Sequence, residues 1–152
     1  MDHGTDRTAE IATPALLRAA RTTYGTAMRD ALGNAGYDDV PRNGLYVIGA
    51  LAHSNAPLAQ IIRELGVSKQ AAGQLIDTLV LRGYLERSVD PGDRRRLIVM
   101  LTERGRAAAD VQRSAMHAID AELLRHAGAQ CVAHMRQALL MLAHLGTGSR
   151  GE

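Results

Sequence analysis

The sequence predicts a mainly α-helical fold with a small β-hairpin wing, of the winged helix-turn-helix type. Over most of the chain, apolar residues recur every three or four positions, which is the spacing of one helix face. Residues 84–101 depart from this spacing, because two runs rich in β-forming residues flank the turn sequence Asp90-Pro91-Gly92-Asp93. Two short helical patterns separated by Gly66 directly precede the hairpin. Further helices are predicted at both ends of the chain.

The first predicted helix begins near residue 13 and ends near residue 33. Thr13 is expected to cap it, Pro14 suits the first helical position, and Gly33 and Gly36 interrupt the pattern. Its apolar positions are Leu16, Leu17, Ala20, Tyr24, Ala27, Met28 and Ala31. A second short apolar helix is expected over residues 43–53, with Leu45, Val47, Ile48 and Leu51.

Residues 56–83 predict a helix-turn-helix. Pro57 suits the start of its first helix, and Gly66 is expected to end that helix in a left-handed conformation. Ser68 is a favourable N-cap for the second helix, which is predicted to run to about Arg82 and to stop at Gly83.

The second helix of this motif has two different faces. Its apolar face carries Ala72, Leu75, Ile76, Leu79 and Val80. Its polar face carries Lys69, Gln70, Gly73, Gln74 and Asp77. The polar residues are concentrated in the N-terminal half, which is the half that enters the major groove when such a helix reads DNA.

The side chains of the polar face suit contacts with DNA. Gln70 and Gln74 can pair with adenine, and Lys69, the only lysine of the chain, can address guanine. Gly73 would allow the backbone to approach the duplex, and Ser68 at the helix N-terminus can hold a phosphate. Any one of these residues taken alone is explained equally well as a solvated polar residue on an exposed face.

The hairpin is predicted to form from Tyr84–Val89 and Arg96–Leu101. Pro91 fixes its own φ, and Gly92 at the third turn position would permit a positive φ. The predicted tip carries Arg94, Arg95 and Arg96, which can reach a phosphate backbone or a narrow minor groove.

Charge gives modest support for a nucleic-acid partner. The formal net charge is only +2. Residues 57–106, however, hold nine arginine or lysine residues against six aspartate or glutamate residues, and the remainder holds nine against ten. The positive charge is therefore concentrated in the segment that is predicted to contact DNA.

The wing sequence resembles that of the MarR family of bacterial winged helix-turn-helix transcriptional regulators. The similar residues are Asp90-Pro91, Asp93-Arg94-Arg95, Leu101-Thr102 and Gly105, preceded by LGVSKQAAGQLIDTLVLRGYLER, and the resemblance covers roughly residues 13–145. It implies a homodimer with one winged helix-turn-helix per subunit, and repression that a ligand or an oxidant relieves.

The resemblance also implies roles for single residues. Asp93 and Arg95 match the family's Asp-x-Arg element, in which the arginine enters the minor groove and the aspartate helps to orient it. Arg94 and Arg96 are then phosphate or structural contacts. Gly73 departs from much of the family, in which a bulkier polar residue is common at this position, and base reading is expected to differ there.

The C-terminal part predicts two helices. Thr102 is expected to cap the first, Glu103 suits its positive end, and Gly128 separates the two. Their apolar positions are Ala108, Val111, Ala115, Ile119 and Leu123, and then Val132, Met135, Leu139, Leu142 and Leu145. These faces either complete a monomeric core or, as we expect, form a dimer interface together with the first helix.

The length of 152 residues predicts a single winged-helix domain over residues 12–145. The DNA-binding head occupies about residues 40–101, and the dimerisation helices occupy about 13–33 and 102–145. The tails, residues 1–11 and 146–152, are expected to be disordered.

By resemblance, a small-molecule effector is expected to bind between the dimerisation helices and the DNA-binding head. The candidate residues for this site are Arg21, Tyr24, Tyr46 and His53. Each residue is also explained as an ordinary core or surface residue.

Other functions have weaker support. Cys131 is a candidate redox sensor, but we do not expect this function because Cys131 lies on an apolar-rich helix. Cys131 and His134, near His117 and His126, are a candidate metal site, but we do not expect a metal because no paired ligand motif is present. No catalytic motif is found, so no enzyme activity and no cofactor are expected, and Asp38-Asp39 is interpreted as a helix-terminal or loop pair.

A winged helix that binds only proteins would not need the arginine run of the wing. The absence of a long apolar run or a signal sequence, together with the single cysteine, indicates a cytoplasmic protein with no membrane partner.

Overall fold

The structure is a computed structural model that describes residues 10–54 and 56–148. It consists of two compact units, an N-terminal unit up to Met116 and a C-terminal unit from His117 onward. The prediction of a single domain over residues 12–145 stays a prediction. None of the described helices combines the length and the apolar character needed to cross a membrane.

Six helices and one hairpin make up the described residues, and the predicted fold class is confirmed. The elements are α1 (Thr13–Asn34), α2 (Gly44–His53), α3 (Leu58–Leu65), α4 (Lys69–Leu81), β1 (Leu85–Asp90), β2 (Asp93–Leu101), α5 (Glu103–Ala127) and α6 (Ala129–Gly148). Gly66, Gly83 and Gly128 follow α3, α4 and α5 with φ of 67°, 75° and 81°, a conformation that glycine adopts without steric cost.

The core of the N-terminal unit forms where α2, α4 and the hairpin meet. Its largest fully buried side chains are those of Tyr84, Leu32, Leu45, Ile48, Leu79, Leu85, Gln112 and Val47. Thr102 joins the hairpin to α5, because its N–H donates to the Tyr84 carbonyl (3.1 Å), its Oγ1 donates to the Gly83 carbonyl, and the same Oγ1 accepts from the Gly105 N–H (3.0 Å). Thr102 therefore caps α5, as predicted.

The hairpin differs from the prediction at its tip. β2 begins at Asp93, three residues earlier than expected, so the arginine run belongs to a strand. Gly92 does not have a positive φ; its N–H instead bonds to Asp90 Oδ1 at 2.8 Å. The turn is therefore stabilised by the Asp90 side chain and does not depend on the conformational freedom of glycine.

The predicted ends of two helices need correction. Thr13 is the first residue of α1 and not its cap, since the preceding position is Ala12 and no side chain caps the helix. α6 continues to Gly148, so residues 146–148, which were assigned to a disordered tail, are helical. Most of the two predicted tails lies outside the described residues, namely residues 1–9 and 149–152.

The C-terminal unit contains the end of α5 and all of α6. An ion pair between Arg136 Nη2 and Asp120 Oδ2 (3.1 Å) joins the two helices across the turn at Gly128. No residue of α6 between Ala129 and Gly146 is buried. The large apolar side chains of this helix are therefore largely uncovered in the single chain.

Candidate nucleic-acid interface

The N-terminal half of α4 presents the polar face that the sequence predicts. Ser68 Oγ accepts a hydrogen bond from the Ala71 N–H at 3.1 Å and so caps the helix. The predicted contact residues, all exposed on one side of this helix, are Ser68, Lys69, Gln70, Gly73 and Gln74. The opposite side is anchored by Ala72, Ile76 and Leu79, which are buried. The burial of one face holds the polar face outward.

Gly73 leaves a gap in the polar face. A Cβ built at this position would have no atom within 4 Å, and its backbone conformation is ordinary. The fold itself therefore does not require glycine at position 73. Its effect is to expose the helix backbone between Gln70 and Gln74, where a partner can approach closely.

An ion pair connects α4 to the hairpin. The Arg87 guanidinium of β1 donates a hydrogen bond to Asp77 Oδ1 on the outer face of α4. Both side chains are partly exposed, so the pair contributes little to the free energy of unfolding. Its consequence is positional, because it ties the wing to the helix that carries the polar face.

The wing arginines lie in an irregular part of the hairpin. Val89 pairs with Leu97 and Asp90 pairs with Asp93, so Arg94, Arg95 and Arg96 have no partner residue in the ladder. Asp93 Oδ1 accepts the backbone N–H of Arg95 at 3.0 Å. The carboxylate thus fixes the backbone from which Arg95 projects. All three arginines are exposed.

A polar network behind the wing was not found from the sequence. The Tyr84 hydroxyl donates to Asp39 Oδ1, while Arg104 Nη2 donates to the same oxygen (3.2 Å) and to Tyr84 Oη (3.1 Å). The Arg104 guanidinium also lies over the rings of Tyr84 and Tyr37, at 4.7 and 5.3 Å. Arg82 donates to the Asp39 carbonyl. The network joins the α1–α2 loop to both ends of the hairpin.

The network shifts the protonation of two of its members. Burial, and after it the hydrogen bond to Asp39, raises the pKa of Tyr84 to about 12. The hydrogen bond from Tyr84, aided by the Arg104 charge, holds the pKa of Asp39 below its ordinary value against the opposing effect of burial. Asp39 is therefore ionised and Tyr84 protonated near neutral pH.

The four residues predicted to bind an effector do not line a single cavity. Arg21 and Tyr46 are together, with the guanidinium 4.6 Å from the ring centre, and both line a cavity of about 400 Å³. His53 lines a different cavity, of about 410 Å³, near Met100 of the hairpin. Tyr24 packs against the core. The sequence also missed three further arginines beside Arg21, of which two lie on α1.

The candidates for redox or metal chemistry gain no support. Cys131 is exposed, although its apolar-rich helix had suggested that it would be covered. A lone exposed thiol does not by itself indicate a sensor. In the part of the chain that the structure describes, no three histidine, cysteine or acidic side chains lie close enough together to hold a metal ion.

Residues 38–96 match the model of the MarR family. The fold is similar to that of apo MarR from E. coli (21% identity, TM-score 0.62, covering 87% of this chain and 96% of that one). It is also similar to a probable transcriptional regulator from Pseudomonas aeruginosa (24% identity, TM-score 0.63, covering 88% of this chain and 98% of that one). A third similar structure is Streptococcus pneumoniae FabT in complex with DNA (18% identity, TM-score 0.71, covering 90% of this chain and 96% of that one).

No curated protein matches the chain. The family resemblance seen in the wing sequence is nevertheless confirmed over residues 38–96, which match the family model. At these identities, the solved structures establish the fold alone.

Proposed function

From the MarR-family match of residues 38–96, we propose that this protein is a sequence-specific DNA-binding transcriptional regulator. One observation carries the proposal: the exposed polar face of α4 and the arginine wing lie on elements joined by the Asp77–Arg87 ion pair. In this arrangement Gln70 and Gln74 read bases in the major groove, while Arg95 reaches the minor groove beside it. FabT, one of the similar structures, was solved in complex with DNA.

The regulator acts as a homodimer. The large exposed apolar side chains of α6 are Met135, Leu139, Leu140, Met141, Leu142 and Leu145, with Leu145 74% exposed. Uncovered apolar side chains in this number mark an interaction surface, and a second copy of the chain is the partner that a symmetric operator requires. A two-fold dimer then binds two half-sites about one helical turn apart on a pseudo-palindromic site.

The regulator represses transcription by occupying its operator, and a small-molecule effector releases it. The cavity beside His53 is the candidate effector site, since it adjoins α2 of the DNA-binding head. An effector bound there would lower DNA affinity only if it binds the free form more tightly than the DNA-bound form.

Fluorescence anisotropy on DNA from upstream of the protein's own gene tests the proposal. A scrambled duplex of the same length and composition is the control, and both duplexes are titrated at several salt concentrations. Tight, salt-dependent and selective binding to the upstream DNA is the expected result. Equally weak binding to both duplexes, together with no enriched fragment in a genome-wide selection, would leave a winged helix that binds other proteins.

Sedimentation tests the dimer separately. A dimer at micromolar concentration is the expected result. A folded, stable monomer at that concentration would contradict the dimer and leave the DNA-binding proposal to be judged on its own titration.

A further inference from the structure

Four arginines surround one cavity of the N-terminal unit. Arg18, Arg21 and Arg29 belong to α1, Arg42 lies just before α2, and the cavity between them has a volume of about 400 Å³. Tyr46 of α2 also lines it. The cavity lies on the N-terminal side of α2, whereas the His53 cavity lies at the C-terminal end of that helix.

The charge of this cluster is not compensated. None of the described residues that line the cavity carries a carboxylate. In residues 10–54 and 56–148, none of the four arginines makes an ion pair, whereas Arg113 and Arg125 pair with Asp110 and Glu122 respectively. Guanidinium groups gathered around one cavity repel each other, and an oxyanion bound between them removes that repulsion.

The packing of α1 on α2 keeps the cavity in shape. Gly25 is buried, and a Cβ at this position would come within 3.2 Å of Tyr46 Oη. Glycine therefore lets Tyr46 lie close against α1, where its ring supports the Arg21 guanidinium at 4.6 Å. The Arg21 guanidinium is thus held against a wall of the cavity that the packing of the two helices fixes.

The cluster is continuous with the polar face of α4. Arg42 and Asn43 line the arginine cavity, and they also line a neighbouring depression with Gln74 of α4. The phosphate backbone of a DNA strand that passes α4 can therefore continue onto Arg42 and from there onto α1. Arg18 and Arg29 are separated by about 16 Å of helix axis, and a duplex presents one charge per about 1.7 Å of its own axis.

We propose that Arg18, Arg21, Arg29 and Arg42 form an oxyanion site, and that backbone phosphates of the bound DNA occupy it. The inference rests on the proposed function, because it extends the DNA footprint from α4 and the wing to α1. Contacts of this kind carry no base information, so they raise the affinity for every sequence equally and make it more sensitive to salt.

The double variant Arg18→Gln/Arg42→Gln tests the site. Both side chains are exposed and make no hydrogen bond or ion pair in the described residues, so the fold is expected to be retained, as circular dichroism will show. The slope of log Kd against log salt should fall by about 0.9 for each phosphate that a subunit no longer neutralises, with the preference for upstream over scrambled DNA unchanged. The matched control is Arg113→Gln/Arg125→Gln, which removes the same charge from ion-paired arginines and should leave the slope unchanged.

A second readout distinguishes the two sources of an oxyanion. Without DNA, the Tm of the protein and of both variants is compared in inorganic phosphate and in chloride at equal ionic strength. A reduced salt slope in the Arg18/Arg42 variant supports DNA phosphates as the occupant. An unchanged slope, combined with the disappearance of a phosphate-dependent rise in Tm, overturns that assignment in favour of a free oxyanion.

The site is refuted if neither readout differs from that of the control variant. This outcome is separate from failure of the proposed function, which would appear as unselective binding by the unaltered protein.

Discussion

The phenolic hydroxyl of Tyr84 donates a hydrogen bond to Asp39, which lies 45 residues earlier in the chain. Tyr84 is fully buried at the start of the hairpin, and Asp39 lies in the loop before α2. Arg104, at the start of α5, bonds to both partners. Three segments that are distant in sequence are therefore held together at one point behind the wing.

Tyr84→Phe should lower the free energy of unfolding by about 1–2 kcal/mol, because it removes a hydrogen bond to a charged group and leaves the ring in place. Thermal and urea unfolding measure the change. Tyr37→Phe is the matched control, since the Tyr37 ring lies under the same guanidinium and no hydrogen bond of its hydroxyl is found in the described residues. Equal losses in the two variants would argue against a contribution from the Tyr84–Asp39 bond.

Stability should also depend on pH through this pair. Tyr84 has its pKa raised from 10.0 to about 12, so the folded state favours the protonated phenol. That contribution is complete below pH 10 and is lost as the pH rises toward 12. Asp39 has its pKa lowered, so its contribution is present above its ordinary pKa and is lost as the pH falls through the lowered value. Unfolding curves of the unaltered protein and of Tyr84→Phe across both ranges should converge at the extremes; parallel curves would contradict the prediction.

Gly105→Ala should prevent stable folding of the N-terminal unit. A Cβ at Gly105 would lie 2.1 Å from the backbone carbonyl oxygen of Tyr84, and the backbone there is fixed by the Thr102 bonds. We expect a loss of more than about 3 kcal/mol, as for severe overpacking. Gly73→Ala is the opposite control: its Cβ meets nothing within 4 Å, and it should stabilise α4 by about 1 kcal/mol. Denaturant titrations of both variants check the contrast.

Gln112→Met should raise the Tm. Gln112 is 1% exposed, and neither its amide nitrogen nor its amide oxygen has a hydrogen-bond partner in the described residues. Unpartnered buried polar atoms cost about 1–3 kcal/mol, and methionine fills a similar volume without them. Gln130→Met is the control, because Gln130 is exposed and its replacement should leave the Tm unchanged. A lower Tm for Gln112→Met would mean that the amide has a stabilising partner.

Two wing variants separate the roles of adjacent arginines. Arg95→Ala should weaken binding to operator DNA without changing the Tm, because its exposed side chain makes no contact that stabilises the fold. Arg94→Ala should lower the salt slope by about one unit if Arg94 neutralises a phosphate. Anisotropy at several salt concentrations measures both effects. Unchanged operator affinity for Arg95→Ala would remove it from the interface.

Local signals in the sequence predicted much of the fold. Gly66, Gly83 and Gly128 end helices because few other residues adopt a positive φ, and Ser68 caps α4 with its own hydroxyl. The helix spacing of Ala72, Ile76 and Leu79 predicted which face is buried. Each of these signals acts within a few residues and therefore can be found without tertiary contacts.

The errors have tertiary or competing local causes. The Asp39–Tyr84–Arg104 network joins three separate segments, and its members had no mutual spacing that could reveal them. Arg42 was missed because it reaches the cavity from outside α1, whereas Arg18 and Arg29 share a helix with Arg21 and could have been found from the sequence. At the hairpin turn, a hydrogen bond to the Asp90 side chain stabilises the turn in place of the positive φ expected for Gly92. Helix α1 begins at Thr13, one residue earlier than the predicted Thr13 cap implied.

The register of the hairpin breaks between Val89 and Asp90, so Arg94, Arg95 and Arg96 form a bulge with no pairing residues on β1. Insertions or deletions within Arg94–Arg96 should therefore change the length of the hairpin tip. The regular pairs, from Leu85–Leu101 to Val89–Leu97, should keep the same side chains on the same face of the sheet. In a paired segment, by contrast, losing one residue would turn every following side chain to the other side of the sheet. Evolution can thus alter the length of the wing without disturbing the buried end of the hairpin.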